Sequence, residues 1–544
     1  MASDNGYVKP SSSDPIPRLQ IPSNVTRISR AFARTCSDGT FQIIYYQSGV
    51  GSRTGFVDMI AGGAFGIGIA ENIREAYSYI CANYVDGDEI ILVGFSRGAF
   101  TARSIAGIIS DLGLLTREGM EYFYPVFKDM QNWMDYNYRD PFPELPFPNK
   151  PKGSNASSIY RERLVENKLS RVLQDGGAGE LIKVKAIGVW DTVGSLGIPD
   201  IKFLSRLGIH RSTEEFTWFN TSLSPKIDHA FHALAIDEKR GPFSPALWER
   251  LPGQTTDLRQ VWFPGSHTNI GGGCSDQGVA NITLAWMMDQ LSSVGVEFIP
   301  GTMNTLFARN VDYYKSLNPA GEKSSGTVRP CCGAIRLKPK YWATKEIYAS
   351  NNPIRPWALH KIETVESALY DLIGTHRRSP GMYKRVNPNT GRPTAAFLEH
   401  TNERVHSSVR ARLACHGLAA NDGAIWKCKP VTKLWRPRRV AVNYYNPISD
   451  HAEWGPQNGG KEATDSSNCT GNGVSNSETT DLRWVWEYIG PETDAPEVRT
   501  MVEENLGPFE KHLLQLSGGH GEQVCKVAEQ EDFSKFKFPG TKKA

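Results

Sequence analysis

Long apolar runs are missing from this chain. No stretch of eighteen apolar residues occurs in its 544 residues, so no membrane-spanning helix is predicted. A strongly basic domain is missing too. The 61 Lys and Arg nearly balance the 58 Asp and Glu, for a formal net charge of +3, which argues against nucleic acid as a partner. The nine cysteines include no C-x-x-C pair, and only Cys331 and Cys332 are adjacent. An odd, scattered set points to reduced thiols in a cytoplasmic setting rather than a disulfide framework or a zinc site. The opening residues MASDNGYVKPSSSDPIPRLQ are polar and proline-rich and lack the apolar core of a signal peptide. Without secretion, the N-x-S/T sequons at Asn24, Asn155, Asn220, Asn281 and Asn468 carry little meaning. No internal repeat is visible.

What is present is a chain that is 40% hydrophobic, enough for a large core. Its length suggests about two to four domains, or one large domain with insertions. The most informative feature is GFSRG at 94–98. It follows the apolar run Ile90-Ile91-Leu92-Val93 and opens a stretch with helical periodicity at Ala99, Ala102, Ile105, Ala106 and Ile109. Strand, Gly-x-Ser-x-Gly, helix is the nucleophile-elbow pattern of serine hydrolases. The sharp turn lifts the Ser96 hydroxyl out of the sheet. Gly94 and Gly98 flank it because side chains there are expected to collide across the turn.

Around the elbow the chain alternates strand and helix signals. Strands are predicted over 41–46 (FQIIYY), 182–190 and 258–263. Helices are predicted over 68–84, 97–112 and 282–293. This rhythm argues for an α/β fold with a mostly parallel sheet and helices on both faces. Residues 116–180 are aromatic, proline-rich and charged. They read either as a cap-like insertion over the strand ends or as ordinary surface structure far from chemistry. The catalytic unit is expected to span 1–300, and 301–544 to form a C-terminal extension. Within that extension, 455–481 reads as a disordered loop and 494–516 as a helix interrupted near Gly507-Pro508.

A serine nucleophile needs a base and an orienting acid, which α/β-hydrolases supply in the order Ser, acid, His. Candidates must sit just past strand carboxyl ends, where an open parallel sheet places its crevice. Asp191 follows the strand ending at Trp190, and His267 follows Val261-Trp262-Phe263. His267 is then the base, Asp191 its orienter, and the Arg97 backbone N–H one oxyanion donor at a helix start. Gly271-Gly272-Gly273 give the histidine loop freedom to fit closely. Taken singly, each has a plainer reading: Asp191 as a helix cap, His267 as a structural loop histidine, Ser96 as a turn serine. Their joint order after three strands favours the hydrolase site. No cofactor is called for. His229 and His232, near Asp228 and Asp237, lack a recognised metal spacing and read as packing residues. The glycines at 62–68 miss the dinucleotide fingerprint and read as a tight loop near the elbow. The basic segment Lys427–Arg439, interleaved with Trp426 and Trp435, reads as a solvated surface or as a peripheral contact with an anionic lipid surface.

Five ordered blocks resemble the DUF2235 family: YQSGVGS at 46–52, GDEIILVGFSRGAFTAR at 87–103, VWDTVGSLG at 189–197, HALAIDEKRGPFSPALW at 232–248 and VWFPGSHTNIGGG at 261–273. This α/β-hydrolase family contains the catalytic domain of bacterial type VI secretion phospholipase effectors of the Tle1 kind. The resemblance covers about residues 20–300. It implies a Ser-Asp-His triad on Ser96, Asp191 and His267, and hydrolysis of carboxylic esters, with phospholipids as substrates in the bacterial effectors. The long C-terminal region resembles that of fungal members.

Two departures stand out. The family usually reads H-S-D-V-G-G-G where this chain has HTNIGGG, so Asn269 replaces a carboxylate. The family also begins with an apolar strand ending in C/V-D-G-T-W, and nothing here matches it. Asp38-Gly39-Thr40 does not substitute, because it follows the SNVTRISRAF helix and precedes FQIIYY. The expectation is a chain that starts at an internal methionine, with ladder groups beside the elbow strand left unpaired. Three functions follow: a serine hydrolase of esters or lipids, a catalytically silent scaffold, or a biosynthetic thioesterase or lactone hydrolase.

Overall fold

The computed structural model describes residues 7–8, 18–49, 64–172, 182–193, 223–317, 355–364, 375–386, 393–441 and 482–534. The main-sheet strands are β1 (Ile90–Phe95), β2 (Val184–Trp190), β3 (Ile227–Ala235), β4 (Asp257–Phe263), β5 (Glu403–His406), β6 (Trp435–Ala441), β7 (Leu482–Tyr488) and β8 (Thr500–Glu504). They form one eight-stranded sheet in the order β6-β7-β8-β5-β4-β3-β2-β1. β1 to β5 and β8 pair in parallel, and β7 and β6 complete the far side antiparallel. The alternating strand and helix signals thus resolve into an α/β fold with a mostly parallel sheet. The sheet runs without a break into residues 403–504, which supply β5 to β8.

Helices cover both faces, which is why the central strands are apolar throughout rather than alternating. One face carries α1 (Asn24–Ser29) and α7 (Gly278–Ser292), and the other carries α2 (Ala64–Asn83), α3 (Arg97–Leu112) and α5 (Ala156–Glu166). Two buried clusters result. Phe95, Trp190 and Phe231 pack with Trp286 and Met287 of α7, while Ile187, Val189 and Ala230 pack with Tyr77 of α2 and Ile105 of α3. From Gly278 to Leu291 every α7 residue is buried, so this helix shows no polar stripe.

Several expectations need correction. No strand forms over 41–46. Phe41 makes only an isolated bridge to Thr35, and Phe41 and Ile43 are 78% and 75% exposed. No described strand lies beside this segment, and alternation without a partner does not make a ladder. The helix expected over 494–516 starts only at Pro508, as α8 (Pro508–Leu516). The residues before it form β8, because a seat between β5 and β7 outweighs local helical periodicity. Ala64–Gly68 open α2 rather than a tight loop. The segment 455–481 lies outside the described residues. Trp426 and Trp435 are buried, their indole N–H groups donating to Asp237 Oδ1 (2.8 Å) and the Pro380 carbonyl (3.0 Å). The cations Lys427, Lys429, Lys433, Arg438 and Arg439 face solvent while both indoles do not, so the aromatic part of a surface contact is absent there.

Residues 116–172 hold α4 (Phe123–Gln131) and α5. They pack at the end of α3 remote from its start: Ser157 Oγ meets Asp111 Oδ1 at 3.2 Å, and Phe123 packs on Tyr77. Among the described residues β1 is an edge strand. A groove of about 2070 Å³ runs along its open side, with Leu92 and Val93 between Val25 and Phe32 on one wall and Ala76 and Ile80 on the other. The ladder groups beside the elbow are therefore unpaired on that side, within the described chain.

Candidate active site

Parallel register brings several strand ends to one rim. Phe95 pairs with Trp190, Trp190 with Ala233, and Ala235 with Phe263. Ser96, Asp191 and the loop to His267 follow directly from these ends, on the carboxyl side where open α/β sheets place their crevice.

Ser96 sits between β1 and α3 with φ 58° and ψ −120°, a conformation that side-chain-bearing residues rarely adopt. Its N–H donates to the Trp190 carbonyl at 3.1 Å, and its hydroxyl makes no capping bond to α3. Gly94 is needed here: a Cβ would lie 2.4 Å from the Gly98 carbonyl oxygen and 2.6 Å from Ala99 Cα. The collision expected at Gly98 does not arise, since a Cβ there would meet no described atom within 4 Å. Arg97 is the first residue of α3, with its N–H at the positive end of that helix.

Asp191 is fully buried, at φ 37°. One carboxylate oxygen, Oδ1, accepts the Ala235 N–H at 3.0 Å. The other, Oδ2, accepts from His267 Nδ1 at 2.7 Å and from Arg378 Nη2 at 3.0 Å. Burial alone would raise its pKa. The Arg378 charge and the His267 hydrogen bond outweigh burial and hold it down to about 2.

His267 opens the short helix α6 (His267–Gly271), which Ser266 and Asn269 cap reciprocally. Its ring lies between Phe95 (centroids 4.6 Å apart) and Phe243 (4.8 Å), and its backbone N–H donates to Glu238 Oε2 at 3.2 Å. Phe95 immediately precedes Ser96, so this ring contact seats the imidazole at the elbow. Gly271 permits it, because a Cβ there would lie 2.0 Å from the Phe95 ring. A carboxylate can only accept, so Nδ1 carries the proton and Nε2 carries the lone pair. Nε2 is buried and has no hydrogen-bond partner among the described residues. Burial lowers the imidazole pKa to about 4, against the pull of Asp191.

Asn269 braces the loop. Its Oδ1 accepts from Ser266 N–H and Glu363 N–H, both at 3.1 Å, and its Nδ2 donates to the Lys361 carbonyl at 3.2 Å. His232 is buried, accepts the Thr192 N–H at 3.1 Å on Nε2 and faces Gln260 Oε1 at 3.3 Å; burial lowers its pKa to about 3. His229 instead faces Asp257 at 3.5 Å. Among the described residues no three His, Cys, Asp or Glu side chains gather in a metal-binding group.

Three participants escape sequence reading. Glu238 and Arg240 form a partly buried ion pair at 2.8 Å beside His267, and Arg378 reaches Asp191 from much farther along the chain. The block at 232–248 held a signal for the first two. THRRSP around Arg378 carries none, since no strand or motif marks it.

The family described as T6SS phospholipase effector Tle1-like, catalytic domain, matches residues 8–290. The uncharacterized protein YEL023C of Saccharomyces cerevisiae is 26% identical over 229 residues, which is 40% of this chain and 28% of the yeast protein. The chain therefore spans little more than a quarter of that relative's length. No solved structure matches it.

Proposed function

We propose, from the premise that this chain belongs to the Tle1-like phospholipase effector catalytic-domain family, that it is a serine hydrolase of lipid carboxylic esters. Ser96 Oγ attacks the ester carbonyl while His267 Nε2 takes its proton. The Arg97 N–H, at the start of α3, stabilises the oxyanion. The tetrahedral intermediate collapses, His267 protonates the leaving alkoxide, and an acyl-Ser96 ester remains. Water, deprotonated by the same nitrogen, then releases the carboxylic acid and restores the hydroxyl. Asp191 holds the tautomer and stabilises the imidazolium formed at each attack.

The observation that carries this reading is the 2.7 Å bond between Asp191 Oδ2 and His267 Nδ1, in a chain whose Ser96 is held in the strained elbow conformation. Phospholipids are the substrates that the family favours. Thioesters and lactones would use the same acyl chemistry. The odd, scattered set of nine cysteines fits a cytoplasmic setting. The edge of β1, unpaired among the described residues, favours a second reading, a scaffold without turnover. Hydrolysis of a panel of acyl esters, thioesters and phospholipids decides between them. Turnover that disappears in Ser96→Ala supports the enzyme, and none by the folded protein supports the scaffold.

A further inference from the structure

Arg378 lies outside the residues that the family matches, yet its guanidinium is buried against the acid of the site. Nη2 donates to Asp191 Oδ2 at 3.0 Å and to the Phe243 carbonyl at 2.7 Å. The segment that carries it is fastened on both sides. Thr375 bridges Arg240, and the His376 N–H donates to the Lys239 carbonyl at 2.8 Å. On the other side the Gly381 N–H donates to Glu403 Oε1 at 2.8 Å. So the C-terminal half delivers a fixed cation to a carboxylate that the N-terminal half supplies.

The charges around His267 can be counted. Asp191 and Glu238 are negative, Arg240 and Arg378 positive, and they form two ion pairs, Glu238–Arg240 and Asp191–Arg378. His232 and Tyr383, also close to Asp191, stay uncharged because burial disfavours their ions, and burial lowers the pKa of His376. With both pairs present, these four charges of the described residues cancel, and the imidazole can stay neutral beside them. Without the guanidinium, a fully buried carboxylate stands unbalanced beside a neutral ring. Burying an unpaired charge is expensive, and the nearest remedy is a proton on His267. That proton occupies the nitrogen required for catalysis.

We propose that Arg378 is a positioning residue that balances the Asp191 carboxylate and so keeps His267 an uncharged base. This rests on the reading that His267 serves Ser96. The proposal is tested in the full chain with Arg378→Met and Arg378→Lys. Two quantities are followed against pH: kcat/KM on a short-chain p-nitrophenyl ester, and the His267 imidazole by NMR, assigned by its loss in His267→Gln. In Arg378→Met both midpoints rise by about one to two units, and activity at high pH returns to within about tenfold of wild type. In Arg378→Lys, which keeps the charge, the midpoints stay within about half a unit of wild type. A His267 midpoint that does not move in folded Arg378→Met overturns the proposal. If Arg378→Met does not fold, Asp191→Asn is added to it. Removing both charges should raise the melting temperature above that of the single variant, and a further fall overturns the charge-balance claim. Should the wild type show no Ser96-dependent turnover, the hydrolase reading fails, while the NMR midpoint still decides the role of Arg378.

Discussion

Replacing Gly94 by alanine should damage this protein far more than replacing Gly98, although both belong to the same pentapeptide. At Gly94 the new Cβ would stand 2.4 Å from the Gly98 carbonyl oxygen, 2.6 Å from Ala99 Cα and 2.7 Å from Ala99 N. All three are backbone atoms at the start of α3, and no rotamer change relieves them. The helix must therefore retreat from β1 by roughly half an ångström to one ångström, which costs about 1–3 kcal/mol in a well-packed core. The same retreat carries Ser96 with it, and a misplacement of about 1 Å can cost on the order of a hundredfold in rate. At Gly98 the new methyl meets no described atom within 4 Å. Alanine there exchanges a poor helix former for a good one, worth up to about 1 kcal/mol in a helix interior and less at its first turn. Thermal melting, together with the rate of labelling by a fluorophosphonate probe, reads both effects. Gly94→Ala should melt several degrees below wild type and label on the order of a hundredfold more slowly, while Gly98→Ala melts at or above wild type. A Gly94→Ala protein that melts and labels like wild type would refute the close approach of strand and helix.

Other consequences can be tested alongside. Because the His267 imidazole is lowered to about 4, kcat/KM should hold its plateau down to about pH 5 and fall with a midpoint near pH 4; a midpoint near the ordinary 6.5 would contradict a dry, buried base. The same shift has a sign for stability. Between about pH 6.5 and 4 the unfolded chain binds the extra proton, so the contribution of His267 is present above that window and lost as the pH falls through it. Urea midpoints for wild type and His267→Gln at pH 7 and pH 5 measure the difference. Asp191→Asn should lower kcat by about 10³–10⁴-fold, since the amide supports the wrong tautomer; steady-state kinetics at saturating ester shows it. Asn269→Asp should destabilise the fold by about 1–2 kcal/mol, because a carboxylate cannot donate to the Lys361 carbonyl; its urea midpoint checks this.

The candidate site was legible where chemistry and position coincide. GFSRG after an apolar run fixed the elbow, and Asp191 and His267 were recognisable because each follows a strand end. The structure places their side chains 2.7 Å apart. Strand β3 was not expected, although it runs beside β2 and β4; IDHAFHALA reads as mixed because His229 and His232 find partners only in the folded sheet. FQIIYY shows the reverse, an alternation with no described strand to pair with. Residues 500–504 sit in a helical pattern but take a place in the sheet between β5 and β7. Arg378 was illegible for a different reason. Its role comes from a contact across 187 positions, and no local pattern encodes that.

The most direct measurement is the crystal structure of the protein after reaction with a fluorophosphonate ester. The expected result is a covalent bond from Ser96 Oγ to phosphorus, His267 Nε2 within hydrogen-bonding reach of that oxygen, and the Arg97 N–H directed at the phosphoryl oxygen. A reagent attached to any other residue, or an imidazole lying out of reach of the modified serine, would contradict it.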